Sequence, residues 1–190
     1  MQSPIMDNVF RYWGKADPNY PGESQWHPLA YHCLDVAALG VAYLEQSSLL
    51  KSCCGLLKCS EQEFLSWSSF LLALHDLGKF SEAFQAQRPD LIIELQHREP
   101  NPTKIYSERH DSLGFWLWEE YLVDDVLLKI GIDISRNTQR SLKCWLLAVT
   151  GHHGMPPKPY GHADSFFRPE DKQAAADFVC TMAALLLTDE

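Results

Sequence analysis

The chain has 190 residues, 46% of them hydrophobic and 22% charged, a balance that describes a globular domain with its own core and excludes a disordered or fibrous chain. Sixteen Lys and Arg against 25 Asp and Glu give a net charge of −9, which argues against a free-standing binder of phosphate backbones, since such proteins carry a basic face. No apolar run approaches the ~20 residues of a membrane helix. The N-terminal stretch holds Pro4, Asp7 and Asn8 in place of a basic region followed by an apolar block, so no spanning segment and no secretory signal are expected, and a cytoplasmic location is.

Apolar residues recur with period 3.6 and no run alternates convincingly, so the predicted fold is all-α. The first predicted helix, 28–46, has Pro28 at its first position and a stripe of Leu29, His32, Val36, Leu39 and Tyr43. A second follows Ser60, whose spacing to Glu63 fits a capping box; its stripe is Phe64, Trp67, Leu71, Leu74 and His75, and Gly78 is its expected end. A third, 110–129, carries Leu113, Leu117, Tyr121 and Leu128 less regularly. A fourth, 138–150, shows Leu142, Trp145, Leu146 and Val149 and runs into His152 and His153 before Gly154. The last starts at Pro169, places Glu170 and Asp171 where acids suit the helix dipole, and shows Ala174, Phe178, Met182 and Leu185. Two connections, 88–109 with Pro89, Pro100 and Pro102, and 154–168 with Pro156, Pro157 and Pro159, read as long and irregular, a type that is often functional or mobile. Cys33, Cys53, Cys54, Cys59, Cys144 and Cys180 form no C-x-x-C pair and read as mostly buried thiols.

His32 and His75 fall on inward stripes, and His152 and His153 sit where a stripe ends. One such histidine is ordinarily a core residue with a hydrogen-bonded ring. Several together each need a partner, and a shared metal ion satisfies them at once. The pair His75-Asp76, followed by Leu77-Gly78-Lys79, supplies a neutral nitrogen ligand and a carboxylate able to bridge two ions. The dipeptide alone is a weak signal. Its order is a stronger one: a histidine on an earlier helix, then His-Asp, then His110 about 35 residues on, then a His-His pair ending a later helix.

That order resembles the HD superfamily of metal-dependent phosphohydrolases. The segments Tyr12-Trp13-Gly14-Lys15, Tyr31-His32-Cys33-Leu34-Asp35-Val36-Ala37-Ala38, Ala73-Leu74-His75-Asp76-Leu77-Gly78-Lys79-Phe80 and Ala148-Val149-Thr150-Gly151-His152-His153-Gly154 resemble the N-terminal HD nuclease domain of the CRISPR-associated nuclease-helicase of type I systems, most like subtype I-E. The resemblance implies an HD-domain helical bundle with a two-metal site. His32, His75 and Asp76 would hold one ion, and Asp76, His110, His152 and His153 the other. It makes His75, Asp76 and Lys79 the catalytic candidates, Lys79 meeting a substrate phosphate, and lets Asp35 orient the His32 ring. Imidazole-rich ligation suits two divalent transition metals, Mn, Fe, Co, Ni or Zn, better than Mg. His27, His97 and His162 match no ligand position and stay structural or exposed.

The resemblance also implies single-stranded DNA as substrate, with helicase domains of the same parent protein and an RNA-guided CRISPR surveillance complex as partners. Such partners reconcile the net acidity with a DNA substrate, because they deliver the strand. Local positive charge from Arg98, Lys104, Arg109, Arg136, Arg140 and Lys143 is a candidate guide, although the last three read first as a solvated helix face. The family's site uses a further aspartate on a helix beyond the last one here; Asp164, Asp177 and Asp189 match no such motif, and no G-x-x-x-x-G-K-[ST] loop occurs. On this reading residues 1–190 are an HD nuclease domain that stops before its last metal-ligand aspartate and before the helicase domains. Two rival readings share the ligands: an HD phosphohydrolase of small nucleotides, and a catalytically incomplete docking or regulatory form.

Overall fold

The computed structural model describes residues 8–17 and 26–187; most of the N-terminal stretch read for a signal, and Asp189, lie outside them. Among the described residues an antiparallel pair of strands, β1 (Trp13–Ala16) and β2 (Trp26–Pro28), is followed by α1 (Leu29–Glu45), α2 (Leu49–Leu57) and α3 (Glu61–Ala73), which leads to a 3-10 turn, Leu77–Phe80. Then come α4 (Glu82–Gln85), α5 (Pro89–Gln96), α6 (His110–Leu117), a π-helical turn over Trp118–Leu122, α7 (Val123–Lys129), α8 (Arg136–Thr150), a second 3-10 turn, Ala163–Ser165, and α9 (Pro169–Leu186). The fold is the helical bundle the period predicts, with one small sheet added. Among the described residues no helix is long and apolar enough to cross a membrane.

Helix α1 packs along α3, and the face it buries is not the one formed by its largest apolar residues. Leu29, Cys33 and Ala37 are buried, whereas Leu39 and Tyr43 of the predicted stripe are 72% and 64% exposed. The reason is close approach: a Cβ at Gly40 would lie 2.2 Å from Leu72 Cδ1, so the small residues of α1 form the groove in which α3 sits. At the start of α3 the capping box forms as expected, with the Glu63 amide donating to Ser60 Oγ at 3.1 Å and the Ser60 amide to Glu63 Oε2 at 2.8 Å.

Helix α3 ends at Ala73, before the expected Gly78. Gly78 serves instead as a contact point, because a Cβ there would meet the His110 carbonyl oxygen at 1.8 Å and the Gly114 amide nitrogen at 2.6 Å. The 3-10 turn and α6 therefore touch backbone to backbone. The π turn after α6 adds a residue to the helical repeat, so the buried series Leu113, Leu117 resumes at Leu122 and Val126, and Leu128 turns outward at 72% exposure. That insertion is why the stripe over 110–129 looked irregular. Phe70, Leu74, Phe80, Phe115, Trp118 and Phe178 are fully buried in the shared core.

The connection 88–109 contains a helix the sequence reading missed. Pro89 stands at its first turn, where a missing amide hydrogen costs nothing, and Leu91 and Ile92 are buried. Only two cysteines, Cys33 and Cys54, are buried; Cys53, Cys59 and Cys180 are half-buried and Cys144 is exposed, all as free thiols, which corrects the expectation of mostly buried ones. Asp171, in the first turn of α9, is inside: it accepts the Tyr12 hydroxyl at 3.0 Å and the amides of Glu82 and Arg168 at 3.0 and 2.8 Å. This carboxylate ties the N-terminal segment to the last helix.

Candidate metal centre

The centre is built where α3 runs out. The His75 Nδ1 lies 2.8 Å from the Leu72 carbonyl oxygen, which can only accept, so Nδ1 carries a hydrogen and Nε2 is the nitrogen left to face the centre. That Nε2 lies 3.0 Å from Asp76 Oδ2. Asp76 is 1% exposed, and three other imidazoles converge on it. His32 Nε2, from α1, is 3.0 Å from Oδ2; His110 Nε2, from the first turn of α6, is 3.3 Å from Oδ1; His152 Nε2, just past α8, is 3.6 Å from Oδ1. His153 reaches the group through His110, with the two Nε2 atoms 2.9 Å apart.

Two nitrogen-rich triads result, His32–His75–Asp76 and His110–His152–His153, each with ligand atoms within 4.8 Å of one another. The first is buried; the second is more open to solvent. Both oxygens of Asp76 are buried, and neither has an aligned hydrogen-bond partner. A carboxylate in that state, faced by Nε2 atoms from several helices, is a donor set suited to divalent ions of the kind imidazole prefers.

Electrostatics favour the ligating forms. Burial alone would raise the Asp76 carboxyl, but the imidazoles of His110, His32 and His75 outweigh it and hold the group far below the usual carboxylate range. Burial pushes His152 down to about 4, against the attraction of Asp76 and with the help of His75, His153 and His110. His153 is lowered by burial and by His110. Both rings are therefore neutral near pH 7, the form that binds metal.

Close backbone approach sets this geometry. A Cβ at Gly14, in the irregular register of β1, would lie 2.9 Å from Leu29 Cα and 3.1 Å from His32 Cβ, so the strand presses directly on the helix that carries His32. Gln85 clamps the same strand to the His-Asp turn: its Nε2 donates to the carbonyls of Trp13 and Lys79 at 3.0 and 2.8 Å, and its Oε1 accepts the Trp13 amide at 3.2 Å. Neither Gly14 nor Gln85 stood out in the sequence as part of a site, and no spacing pattern marks a buried glutamine. Tyr106 was also missed; its hydroxyl lies 3.1 Å from His110 Nδ1.

Lys79 lies inside the centre: its buried Nζ donates to the Gly14 carbonyl at 3.0 Å and sits 2.8 Å from Asp76 Oδ2. Asp35 does not orient His32; its carboxylate pairs with His27 Nε2 at 2.9 Å near the surface. His97 ends α5 and His162 lies beside Glu120, both away from the cluster. Asp164 pairs with Lys172. Of the basic residues considered as guides for a strand, Arg98 is committed to the buried Glu82, Lys143 to Glu119, and Arg109 to Asp111 at 2.7 Å.

Residues 13–190 match the family described as Cas3, HD domain. A curated relative, the CRISPR-associated endonuclease/helicase Cas3 of Escherichia coli (strain K12), is 30% identical over 203 residues that take in 95% of this chain and 22% of the relative, so the chain spans about a fifth of that protein's length. The crystal structure of the Thermus thermophilus cas3 HD domain in the presence of Ni2+ superposes with a TM-score of 0.61 at 21% identity, over 98% of this chain and 67% of that one. A chain of a CRISPR RNA-guided surveillance complex in a pre-nicking state superposes with a TM-score of 0.67 at 19% identity, over 92% of this chain and 21% of that one. At these identities the two superpositions speak for the fold.

Proposed function

The chain belongs to the family of Cas3 HD domains, and from that premise we propose that it is a metal-dependent nuclease domain that hydrolyses phosphodiester bonds of single-stranded DNA in type I CRISPR antiviral defence. In this reading it works in the cytoplasm with ATP-dependent helicase domains of the same parent protein and with an RNA-guided surveillance complex. The observation that carries the proposal is the environment of Asp76: a buried carboxylate whose oxygens have no aligned hydrogen bond, with four imidazole nitrogens within 3.6 Å and the Lys79 ammonium 2.8 Å from Oδ2. The net charge of −9 fits a domain to which the strand is handed by its partners.

His32, His75 and Asp76 would hold one divalent ion, and Asp76, His110, His152 and His153 a second. The nitrogen-rich donor set favours Mn, Fe, Co, Ni or Zn over Mg, and the related Thermus thermophilus HD domain was crystallised in the presence of Ni2+. Bound ions supply Lewis-acid activation of water near neutral pH and neutralise charge on the phosphodiester. The chain's own residues do the positioning. The Leu72 carbonyl fixes the hydrogen of His75 on Nδ1, and the Lys79 ammonium, anchored on Gly14, balances the Asp76 charge and holds it in place. His152 and His153, neutral at working pH, sit on the more open side, where a strand can approach.

The test is digestion of circular single-stranded DNA with Mn2+ or Ni2+. The wild-type chain should cut, and His75→Ala or Asp76→Ala should abolish cutting while the variants stay folded. Undiminished cutting by either variant would overturn the assignment, and turnover of free nucleotides in place of DNA would redirect it to a small-molecule phosphohydrolase.

A further inference from the structure

We infer that Tyr106 is a positioning residue for the more open triad, its hydroxyl gripping His110 at both the backbone amide and ring Nδ1 and so presenting Nε2 to an ion shared with His152 and His153. The inference rests on the reading of that triad as a metal position. His110 is the first residue of α6, and the amide of a first residue has no partner within its own helix. The N-cap residue, Arg109, offers no side-chain hydrogen bond to the helix start. The Tyr106 hydroxyl fills that role, accepting the His110 amide at 3.1 Å, and the same oxygen lies 3.1 Å from His110 Nδ1.

His110 Nε2 faces His153 Nε2 at 2.9 Å and Asp76 Oδ1 at 3.3 Å. To bind a cation through that nitrogen the ring must carry its hydrogen on Nδ1. A phenol oxygen has two lone pairs, so Tyr106 can accept the amide hydrogen and the Nδ1 hydrogen together. The phenol itself is pinned: its ring stands edge-on to Phe84, with centroids 5.6 Å apart and planes at 79°, and Phe84 in turn stands edge-on to the His110 ring at 5.5 Å and 73°. Three rings thus fix the hydroxyl where His110 needs it. His75 is held in the corresponding way by a backbone carbonyl, so the buried triad has an anchor of its own. Loss of the Tyr106 oxygen should therefore act on one triad.

The test is calorimetric titration of Ni2+ into the wild-type chain and into Tyr106→Phe, which keeps the ring against Phe84. Two ions should bind the wild type. In the variant one should bind roughly 10–100-fold more weakly, the range for loss of an outer hydrogen bond to a ligating histidine, and the other should keep its affinity. In the Zn2+-loaded wild type, nitrogen NMR should find a slowly exchanging hydrogen on His110 Nδ1 that Tyr106→Phe loses. Equal affinities in the two proteins, or equal weakening of both ions, would overturn the inference. A wild type that binds no ion overturns the metal reading, and this inference falls with it.

Discussion

Replacing Gly78 by alanine puts one methyl group where the structure leaves no room. The new Cβ would stand 1.8 Å from the His110 carbonyl oxygen, about 1.5 Å short of the ~3.3 Å at which carbon normally meets a carbonyl oxygen. The obstacle is backbone on both sides, since the Gly114 amide is 2.6 Å away, so no side chain can swing aside. Either α6 retreats from the turn or the turn from the core; both move His110 away from Asp76. Overpacking costs about 1–3 kcal/mol, and rigid backbone argues for the upper end; at ~2–4 °C per kcal/mol for a chain of this size, the melting temperature should fall by roughly 6–12 °C. A displacement of ~1 Å in a catalytic group is enough for a 100-fold loss of rate. Gly55→Ala is the matched control, because that glycine lies within α2 with nothing within 4 Å of the new methyl and alanine should stabilise the helix by about 1 kcal/mol. Thermal melting with Ni2+ titration on both variants decides the matter: a Gly78→Ala protein that melts and binds metal like the wild type would show that this backbone contact does not set the site.

Ser60→Ala removes the capping hydroxyl of α3 and should cost about 1 kcal/mol, a fall of a few degrees in melting temperature, with DNA cutting unchanged. Lys79→Met strips the ammonium from the buried Asp76 and should destabilise the metal-free protein by roughly 3 kcal/mol. The same change should enlarge the stabilisation that Ni2+ gives, since no fixed cation then competes for Oδ2; a smaller metal-induced rise than in the wild type would contradict this. Stability against pH should show two opposed slopes in the metal-free protein. Burial lowers His152 from 6.5 to about 4, so its contribution is complete above pH 6.5 and is lost as pH falls toward 4. Burial raises Asp171 from 3.8 to about 6, so its contribution is present below pH 4 and is lost as pH rises through 6. Between pH 4 and 6, His152→Gln should therefore lose stability with rising pH and Asp171→Asn should gain it; parallel curves for the two variants in a melting series would refute the assignment.

The fold was legible where burial repeats with the helical period and illegible where one residue interrupts it. Leu142 and Leu146 of α8, or Ala174, Phe178 and Met182 of α9, lie on a single face and are buried as the spacing predicts. The π turn at Trp118–Leu122 breaks that regularity by one position, and a sequence read with a fixed period sees only a weakened stripe. Proline misled in the other direction. Pro89 reads as a loop residue, yet the restriction that bars it from helix interiors is harmless in a first turn, where it opens α5. The strand pair was invisible for lack of length, because strands of four and three residues with an irregular register carry no alternation to detect.

The site divides along a different line. Its inner members announce themselves by chemistry: few side chains offer a neutral nitrogen or a bridging carboxylate, so histidines at the ends of α3 and α8 and at the start of α6, with one Asp among them, form a pattern that survives translation into one dimension. The contacts by which other residues aim them leave no such trace. Gly14 acts by having no side chain where β1 meets α1, Gln85 by reaching two carbonyls from a position that any polar residue might occupy, and Lys79 by folding back onto Gly14 instead of extending as its charge suggests. Each works on backbone groups that every residue possesses, so its partner cannot be inferred from residue type. Asp35 makes the same point in reverse: three residues from His32 it has the helical spacing of an orienting carboxylate, but β2 brings His27 within 2.9 Å of it, and that contact between strand and helix decides its partner. Ligand identity is thus a property of the sequence, whereas ligand orientation belongs to the packing of β1, α1 and α6 around the His-Asp turn.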